Sequence, residues 1–268
     1  MAPDRLIDSA VATGKGDDGS TGLLFGGERI QKDDARAEAY GTIDEAVAAM
    51  GLARAALAGA PAEHAGPAEH ADSADHADSA DNGPADPAPG DPLTRTQLAV
   101  MILRFQRELF VAGAELATNP AAWDRLVDGQ TRVSRAMVDA LDTTLLDAER
   151  RIEMPREFVV PGETVASAAL EQARTVLRRA ERRAVTLGRA GLIPGEHLLP
   201  YLNRLADLLW ILARAAERAE ERTATPSRMV ARPRPHRTTA EAATANTSMT
   251  TQQSPAGQAG TLRRSQRS

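Results

Sequence analysis

The sequence predicts an all-α fold: a five-helix bundle in one domain, interrupted by a disordered insertion and followed by a disordered tail. Three observations carry this. Five windows repeat apolar residues three and four positions apart, the spacing that lines one face of a helix. No stretch alternates apolar and polar residues convincingly enough for a strand. Two segments, 59–92 and 223–268, are biased in composition and offer little to bury, so the folded domain is expected within residues 1–222 without the insertion.

The chain has 268 residues, no Cys, 3% aromatic residues and a formal charge of −5. Without Cys there are no disulfides and no thiolate metal sites. No apolar run approaches the ~20 residues of a membrane span. The opening MAPDRLIDSAVATGKG has no long apolar region and carries acids early, unlike a secretory signal. The expectation is a soluble cytoplasmic protein with no membrane partner. Few aromatics argue against a base-stacking nucleic-acid platform. The net charge divides unevenly. Segment 59–92 holds eight acids and no Lys or Arg, segment 223–268 holds seven Arg against Glu241, and the remainder is left at −3. The seven Arg are scattered among Thr and Ser, which suits a solvated terminus, so no nucleic acid is expected as a partner.

Residues 1–33 look irregular, with six glycines between Gly14 and Gly27. Such a run serves either a plain surface loop or a close backbone approach to a ligand. It is not a Walker A loop: Ser9 stands where the first Gly belongs, and Gly16 where Ser or Thr belongs. The first helix is expected over Asp34–Leu57, on the spacing of Ile43, Val47, Met50 and Leu57, and Gly59-Ala60-Pro61 stops it. Asp44 lies off that stripe, free to face a partner. Segment 59–92 has no large apolar residue before its end and cannot offset its ordering entropy by burial. Its His64, His70 and His76 fit an acidic linker better than a metal site.

The second helix is expected over Leu93–Ala117, burying Leu98, Ile102, Phe105, Leu109 and Ala112, with Phe110 beside the stripe as core or as the wall of a site. The third runs over Ser134–Glu153 with Ser134 as N-cap. Residues 158–162 form an extended lead-in to the fourth, Thr164–Leu187. The fifth, Glu196–Arg222, buries Leu202, Leu205, Leu209 and Leu212 and carries Asn203, Asp207 and Arg214 as its polar stripe.

The fourth helix contains EQARTVLRRAERR, residues 171–183. At roughly 100° per residue, Arg174, Arg178, Glu181 and Arg182 share about a third of the circumference. Leu170, Ala173, Leu177, Ala180 and Ala184 form the adjoining apolar stripe, and Arg179 and Arg183 point nearly the other way. Arg keeps its charge, so a cluster beside the core needs anions. Two readings stand: a salt-bridged, solvated face, or a polyphosphate clamp that uses the bidentate fit of guanidinium to phosphate.

Three blocks together resemble one family. They are GKGDDGSTGLLFGGERIQKDDARAEAYGTIDEAVAAMGLARA (14–55), VPGETVASAALEQARTVLRRAERRAV (160–185) and PYLNRLADLLWILAR (200–214). The chain is similar to the PduO-type ATP:cob(I)alamin adenosyltransferases. That resemblance implies a five-helix bundle that forms a homotrimer with active sites between subunits. It implies transfer of the 5′-deoxyadenosyl group of ATP to the cobalt of cob(I)alamin, with Mg²⁺ assisting and triphosphate released. Thr13, Lys15, Gly16, Asp17, Asp18, Gly19, Ser20 and Thr21 would wrap the ATP phosphates, and Lys32 joins that set. Arg178, Glu181 and Arg182 would act on ATP across the subunit interface, with Asn203 reaching it from the fifth helix. Asp44 would pair with Arg174 of a neighbouring subunit. Phe110 matches an aromatic that packs under the corrin and keeps a ligand off cobalt. No protein ligand for Mg²⁺ is singled out, since the ion would ride mainly on the ATP phosphates. A reductase and a cobalamin-dependent mutase are the implied protein partners.

Two positions depart from the family pattern. Gly14 stands where a basic residue usually follows Thr, with Lys15 one place later, and Glu163 replaces the second Gly of a usual Gly-Gly. Cob(I)alamin is a strong nucleophile, so such a site needs positioning and leaving-group stabilisation rather than a general base. A different class of reading is a non-catalytic trimer that binds ATP or adenosylcobalamin and delivers it to a mutase. A third is a structural bundle whose Arg face only makes interface salt bridges.

Overall fold

Side-chain caps decide where each rod begins. Thr94 opens one helix with a capping box, accepting from the Gln97 amide while its own N–H donates to the Gln97 side chain. Ser134 caps a second and Thr164, with Ser167, boxes a third. The computed structural model describes residues 12–59 and 91–228. The disorder expected for most of the insertion and tail, and the three linker histidines, fall outside those residues.

Among the described residues there are five α-helices, one short 3₁₀ helix and four two-residue strands. Strands β1 (Ser20–Thr21) and β2 (Ile30–Gln31) pair antiparallel in the N-terminal loop. Helices α1 (Ala35–Gly59) and α2 (Arg95–Leu116) follow. The 3₁₀ segment Pro120–Arg125 leads to α3 (Arg135–Arg150). Strand β3 (Val159–Val160) precedes α4 (Val165–Arg189), α5 (Leu198–Ala219) and β4 (Thr225–Pro226). Helix α1 packs against α2 and α4, α4 against α5, and α5 against α3. The core they enclose is aliphatic and alanine-rich, with Phe105 and Tyr201 as its largest fully buried side chains. Tyr201 stays inside because its hydroxyl donates to Glu108 Oε2 at 2.7 Å.

The structure corrects the sequence reading in four places. Arg214 is not part of a solvated stripe on α5: its side chain is 3% exposed, because Glu171 and Glu217 meet it inside. Residues 223–228 are not loose tail. Thr225 and Pro226 pair with Val160 and Val159, and the Ser227 N–H donates to the Phe158 carbonyl at 2.7 Å. The 3₁₀ turn at Pro120–Arg125 was not anticipated; Asn119 caps it by accepting from the Ala121 amide. Helices α3 and α5 are shorter than expected at their C-terminal ends, closing at Arg150 and Ala219.

Glu115, near the end of α2, is buried where three segments meet. Its Oε2 accepts the Val133 N–H at 2.8 Å, just before α3. Its Oε1 lies against Gly195, where an added Cβ would fall 2.5 Å from the oxygen, and has no hydrogen-bond partner among the described residues. Burial pushes this carboxyl from 4.5 up to about 7, against the opposing pull of the Val133 amide and Arg132. The folded chain therefore holds the Glu115 proton more tightly than the unfolded chain. Native stability from this group is full below about pH 4.5 and is lost as pH rises towards 7, a term on the order of 3 kcal/mol. Thermal unfolding of Glu115→Gln should show a flatter dependence of Tm on pH between 5 and 8 than wild type, since an amide cannot titrate. Identical slopes in the two proteins would refute the assignment.

Candidate functional site

The N-terminal loop is built from backbone that glycine permits. Gly14 and Gly19 sit at φ +68° and +81°, in the left-handed region. Two turns follow one another, the Asp17 N–H donating to Gly14 O and the Gly19 N–H to Gly16 O, each at 3.2 Å. Asp18 then closes the loop tip: one carboxylate oxygen accepts the Ser20 N–H at 2.9 Å and the Ser20 hydroxyl at 2.7 Å. Those two bonds hold the Asp18 carboxyl below its ordinary range. Lys32 donates its ammonium to Gly16 O at 2.7 Å, and a Cβ at Gly16 would lie 3.0 Å from that nitrogen. Gly14 takes a positive φ, where a side chain would be strained, so the glycine at this departing position suits the turn. Glu163 brings no such conflict, because the positive φ belongs to Gly162.

Arg29 is the loop residue that sequence reasoning missed. Its Nε donates to Ser20 Oγ at 2.7 Å, and its Nη2 donates to Lys15 O at 2.6 Å and Ser20 O at 2.9 Å. The strand register brings it there, because Ser20 faces Gln31 and Gly22 leaves room opposite Arg29.

On α4 the arginines divide by face. Arg179 pairs with Glu45 and Arg183 with Glu38 at 2.9 Å, both on α1. Arg178 and Arg182 are exposed and meet no carboxylate among the described residues; Arg182 donates only to the Arg178 carbonyl, at 3.1 Å. Glu181 accepts from Asn203 Nδ2 of α5 at 3.2 Å. Arg174 is paired within the chain, its Nε on Glu171 Oε2 at 2.7 Å. Arg174 and Arg178 line a cavity of about 640 Å³ between α4, α5 and residues 155–161, with Asp207 and Trp210 in its wall. A second hollow, about 340 Å³, lies between α1 and α2. Tyr40, Asp44, Leu109, Phe110 and Gly113 line it, and Phe110 is 61% exposed, a wall residue and not core.

Three clusters result: the loop with Lys32, the α4 face with Asn203, and Asp44 with Phe110. Among the described residues no hydrogen bond or ion pair joins residues 13–21 to Arg178, Glu181, Arg182 or Asn203, and none joins Asp44 to Arg174. No group of three or more His, Asp or Glu there could hold a metal ion, and no described helix is long and apolar enough to cross a membrane.

The family model described as cobalamin adenosyltransferase matches residues 11–216. The chain belongs to the cobalamin adenosyltransferase family. Its curated relatives are transferases. The corrinoid adenosyltransferase of Citrobacter freundii is 35% identical over 208 residues, covering 77% of this chain and 94% of that protein. The corrinoid adenosyltransferase of Mycobacterium tuberculosis is 34% identical, covering 77% and 88%. The corrinoid adenosyltransferase PduO of Salmonella typhimurium is 34% identical over 208 residues, and the chain spans half of that protein's length. In fold, the chain matches a phenylalanine-to-alanine variant of the PduO-type ATP:corrinoid adenosyltransferase from Lactobacillus reuteri, solved with cobalamin and ATP. The TM-score is 0.59 at 24% identity, covering 81% of this chain and 98% of that one. The matched span contains all three clusters and stops before β4, so the 223–228 strap lies outside it.

If Arg29 is what shapes this family's loop here, its loss should be local. Arg29→Ala removes three charge-assisted bonds, each worth roughly 1.5–3 kcal/mol when made to a well-ordered acceptor. Hydrogen exchange should speed at least about tenfold at residues 15–20 while the helices keep wild-type protection. Unchanged exchange in the loop would show that the glycine turns stand without it.

Proposed function

We propose that this chain transfers the 5′-deoxyadenosyl group of ATP to cob(I)alamin, giving adenosylcobalamin and triphosphate. The observation that carries the proposal is the division of arginines on α4: Arg179 and Arg183 are neutralised by α1, while Arg178 and Arg182, beside Glu181 and Asn203, meet no carboxylate among the described residues. Arg keeps its charge, so the open row presents a cationic face at the margin of the bundle. An approaching triphosphate supplies the missing negative charge and fits guanidinium bidentately. Membership of the family supplies the chemistry to which that geometry belongs.

In this reading cob(I)alamin attacks C5′ of ATP, the C5′–O5′ bond breaks, and its electron pair leaves on the triphosphate. Cobalt passes formally from Co(I) to Co(III), so no residue has to remove a proton. The protein's work is orientation and stabilisation of the leaving charge. The glycine loop, with Lys15 and Lys32, cradles phosphates; Arg178 and Arg182 take the leaving triphosphate; Glu181 and Asn203 hold each other and the nucleotide. Mg²⁺ fits as an ion carried by the phosphates, because Asp18 is spent on Ser20 and no group of three or more His, Asp or Glu among the described residues could hold a metal ion. Bound there, it would neutralise part of the triphosphate charge.

Among the described residues no hydrogen bond or ion pair joins Asp44 to Arg174, or residues 13–21 to Arg178, Glu181, Arg182 or Asn203. That lack of connection supports assembly of the site between copies, a homotrimer in which Asp44 of one subunit meets Arg174 of the next. The hollow beside Phe110 then receives the corrin, with the ring shielding the lower face of cobalt. A reductase that supplies cob(I)alamin and a mutase that uses the product complete the scheme.

Two variants test the reading. Arg178→Ala and Arg182→Ala should each raise the ATP KM about tenfold or more, equivalent to one lost charge-assisted contact, with the helical signal intact. The assay is the anaerobic loss of cob(I)alamin absorbance with ATP and Mg²⁺; wild-type kinetics in both variants would sink the clamp. Absent turnover with intact ATP binding in the wild type would point instead to a delivery trimer. Phe110→Ala should cost far less than the roughly 3–5 kcal/mol of a buried Phe, because most of the ring is already in solvent. Its defect should appear in the reaction started from cob(II)alamin and be partly relieved by pre-reduced cob(I)alamin. A large drop in Tm with normal adenosylation from cob(II)alamin would refute the wall.

A further inference from the structure

Behind the arginine face lies a buried ion network that nothing in the reaction so far uses. Glu171, one turn before the cluster on α4, divides its two oxygens. Oε1 accepts Arg214 Nη1 of α5 at 3.0 Å, and Oε2 accepts Arg174 Nε at 2.7 Å. Glu217 takes the other edge of Arg214 as a fork, Oε2 on Nε at 2.8 Å and Oε1 on Nη2 at 2.7 Å. The side chains of Glu171, Arg214 and Glu217 are 5%, 3% and 2% exposed, whereas Arg174 is 27% exposed. The Arg214 guanidinium also sits 5.5 Å from the ring centre of Trp210, a wall of the cavity that Arg174 lines.

Two guanidiniums and two carboxylates balance, so the quartet is electrically complete. Its worth as a stabilising device is small: a buried ion pair is often no better than an apolar isostere, since desolvation offsets the attraction. Its geometric effect is large. Every donor of Arg214 that faces Glu171 or Glu217 is used, which locks Glu171 in place. Glu171 in turn holds Arg174 by Nε alone. The two terminal nitrogens of Arg174 have no hydrogen-bond partner among the described residues, and Arg174 lines the cavity together with Arg178.

We propose that Glu171, locked by Arg214 and Glu217, is a positioning residue that presents the terminal edge of Arg174 to an incoming oxyanion. The long side chain of a free Arg would lose rotamer entropy on binding; here that ordering is done before the ligand arrives. The oxyanion is either a phosphate of the nucleotide or the Asp44 carboxylate of a second copy, and this inference rests on the transferase reading for that choice.

The test is a double-mutant cycle in the full-length protein. Wild-type turnover is measured first, and ATP binding by calorimetry alongside it. Absent turnover overturns the transferase reading alone, and the network is then judged on ATP affinity. Glu171→Gln should raise the ATP KM about tenfold, the weight of one charge-assisted contact, in protein that is still folded by circular dichroism. In an Arg174→Ala background the same substitution should add nothing, because there is no guanidinium left to aim. Sedimentation separates the two oxyanions: a raised KM with assembly intact assigns the nucleotide, and a matching loss of assembly assigns Asp44. Should Glu171→Gln fail to fold, Arg214→Lys keeps the charge, loses the fork, and carries the same cycle with a smaller expected rise. Unchanged KM and assembly in folded protein, or a KM effect that persists in full without Arg174, overturns the proposal.

Discussion

The seam between α1 and α4 is the constraint on which the rest depends. Ala39, Ala46, Ala49 and Ala53 of α1 and Ala166, Ala169, Ala173, Ala180 and Ala184 of α4 are all buried. Small side chains let two helix backbones approach closely, and close approach leaves little rotational freedom. Once α4 is seated, its azimuth is fixed. Arg179 and Arg183 must then fall beside Glu45 and Glu38, and the row containing Arg174, Arg178 and Arg182 must turn outward past α5.

From that orientation the electrostatics follow in layers. Nearest the core, Arg214 and Glu171 are paired completely because an unmatched charge there would be prohibitive. At the margin, Arg174 is half satisfied. Furthest out, Arg178 and Arg182 are exposed and meet no carboxylate among the described residues. One helix thus carries a gradient from buried pairing to exposed, unpaired charge within about three turns. The N-terminal loop obeys a different rule. It has little to bury beyond Leu23 and Ile30, and its shape comes from left-handed glycines, the Asp18–Ser20 closure and two basic side chains donating to backbone carbonyls.

Much of this was legible in the residue order. Helical periodicity located the five described α-helices, and Ser134 marked one start as its cap, because caps and amphipathic faces are encoded within a few positions of one another. The two faces of α4 were visible from 100° steps alone. Pairings between distant segments were not. Arg214 looked like surface because Glu171 is 43 positions away in sequence, and no local pattern announces a buried counter-ion. Thr225 and Pro226 looked like tail because a two-residue strand has no periodicity and exists only where Val159 and Val160 wait for it. Arg29 was missed for the same reason: its three acceptors become neighbours only after the loop folds back.

The sequence by itself determined the helical class, the position of each rod, the glycine-dependent loop and the family to which the chain's three blocks belong. These rest on short-range stereochemistry and on motifs, both written in consecutive residues. Only the tertiary structure decided which arginines are spent and which are free, that Phe110 lies open at the edge of a hollow, and that Glu171 stands behind Arg174. A charge acquires its role from what desolvates it and what it faces, and both are set by packing between segments far apart in the chain.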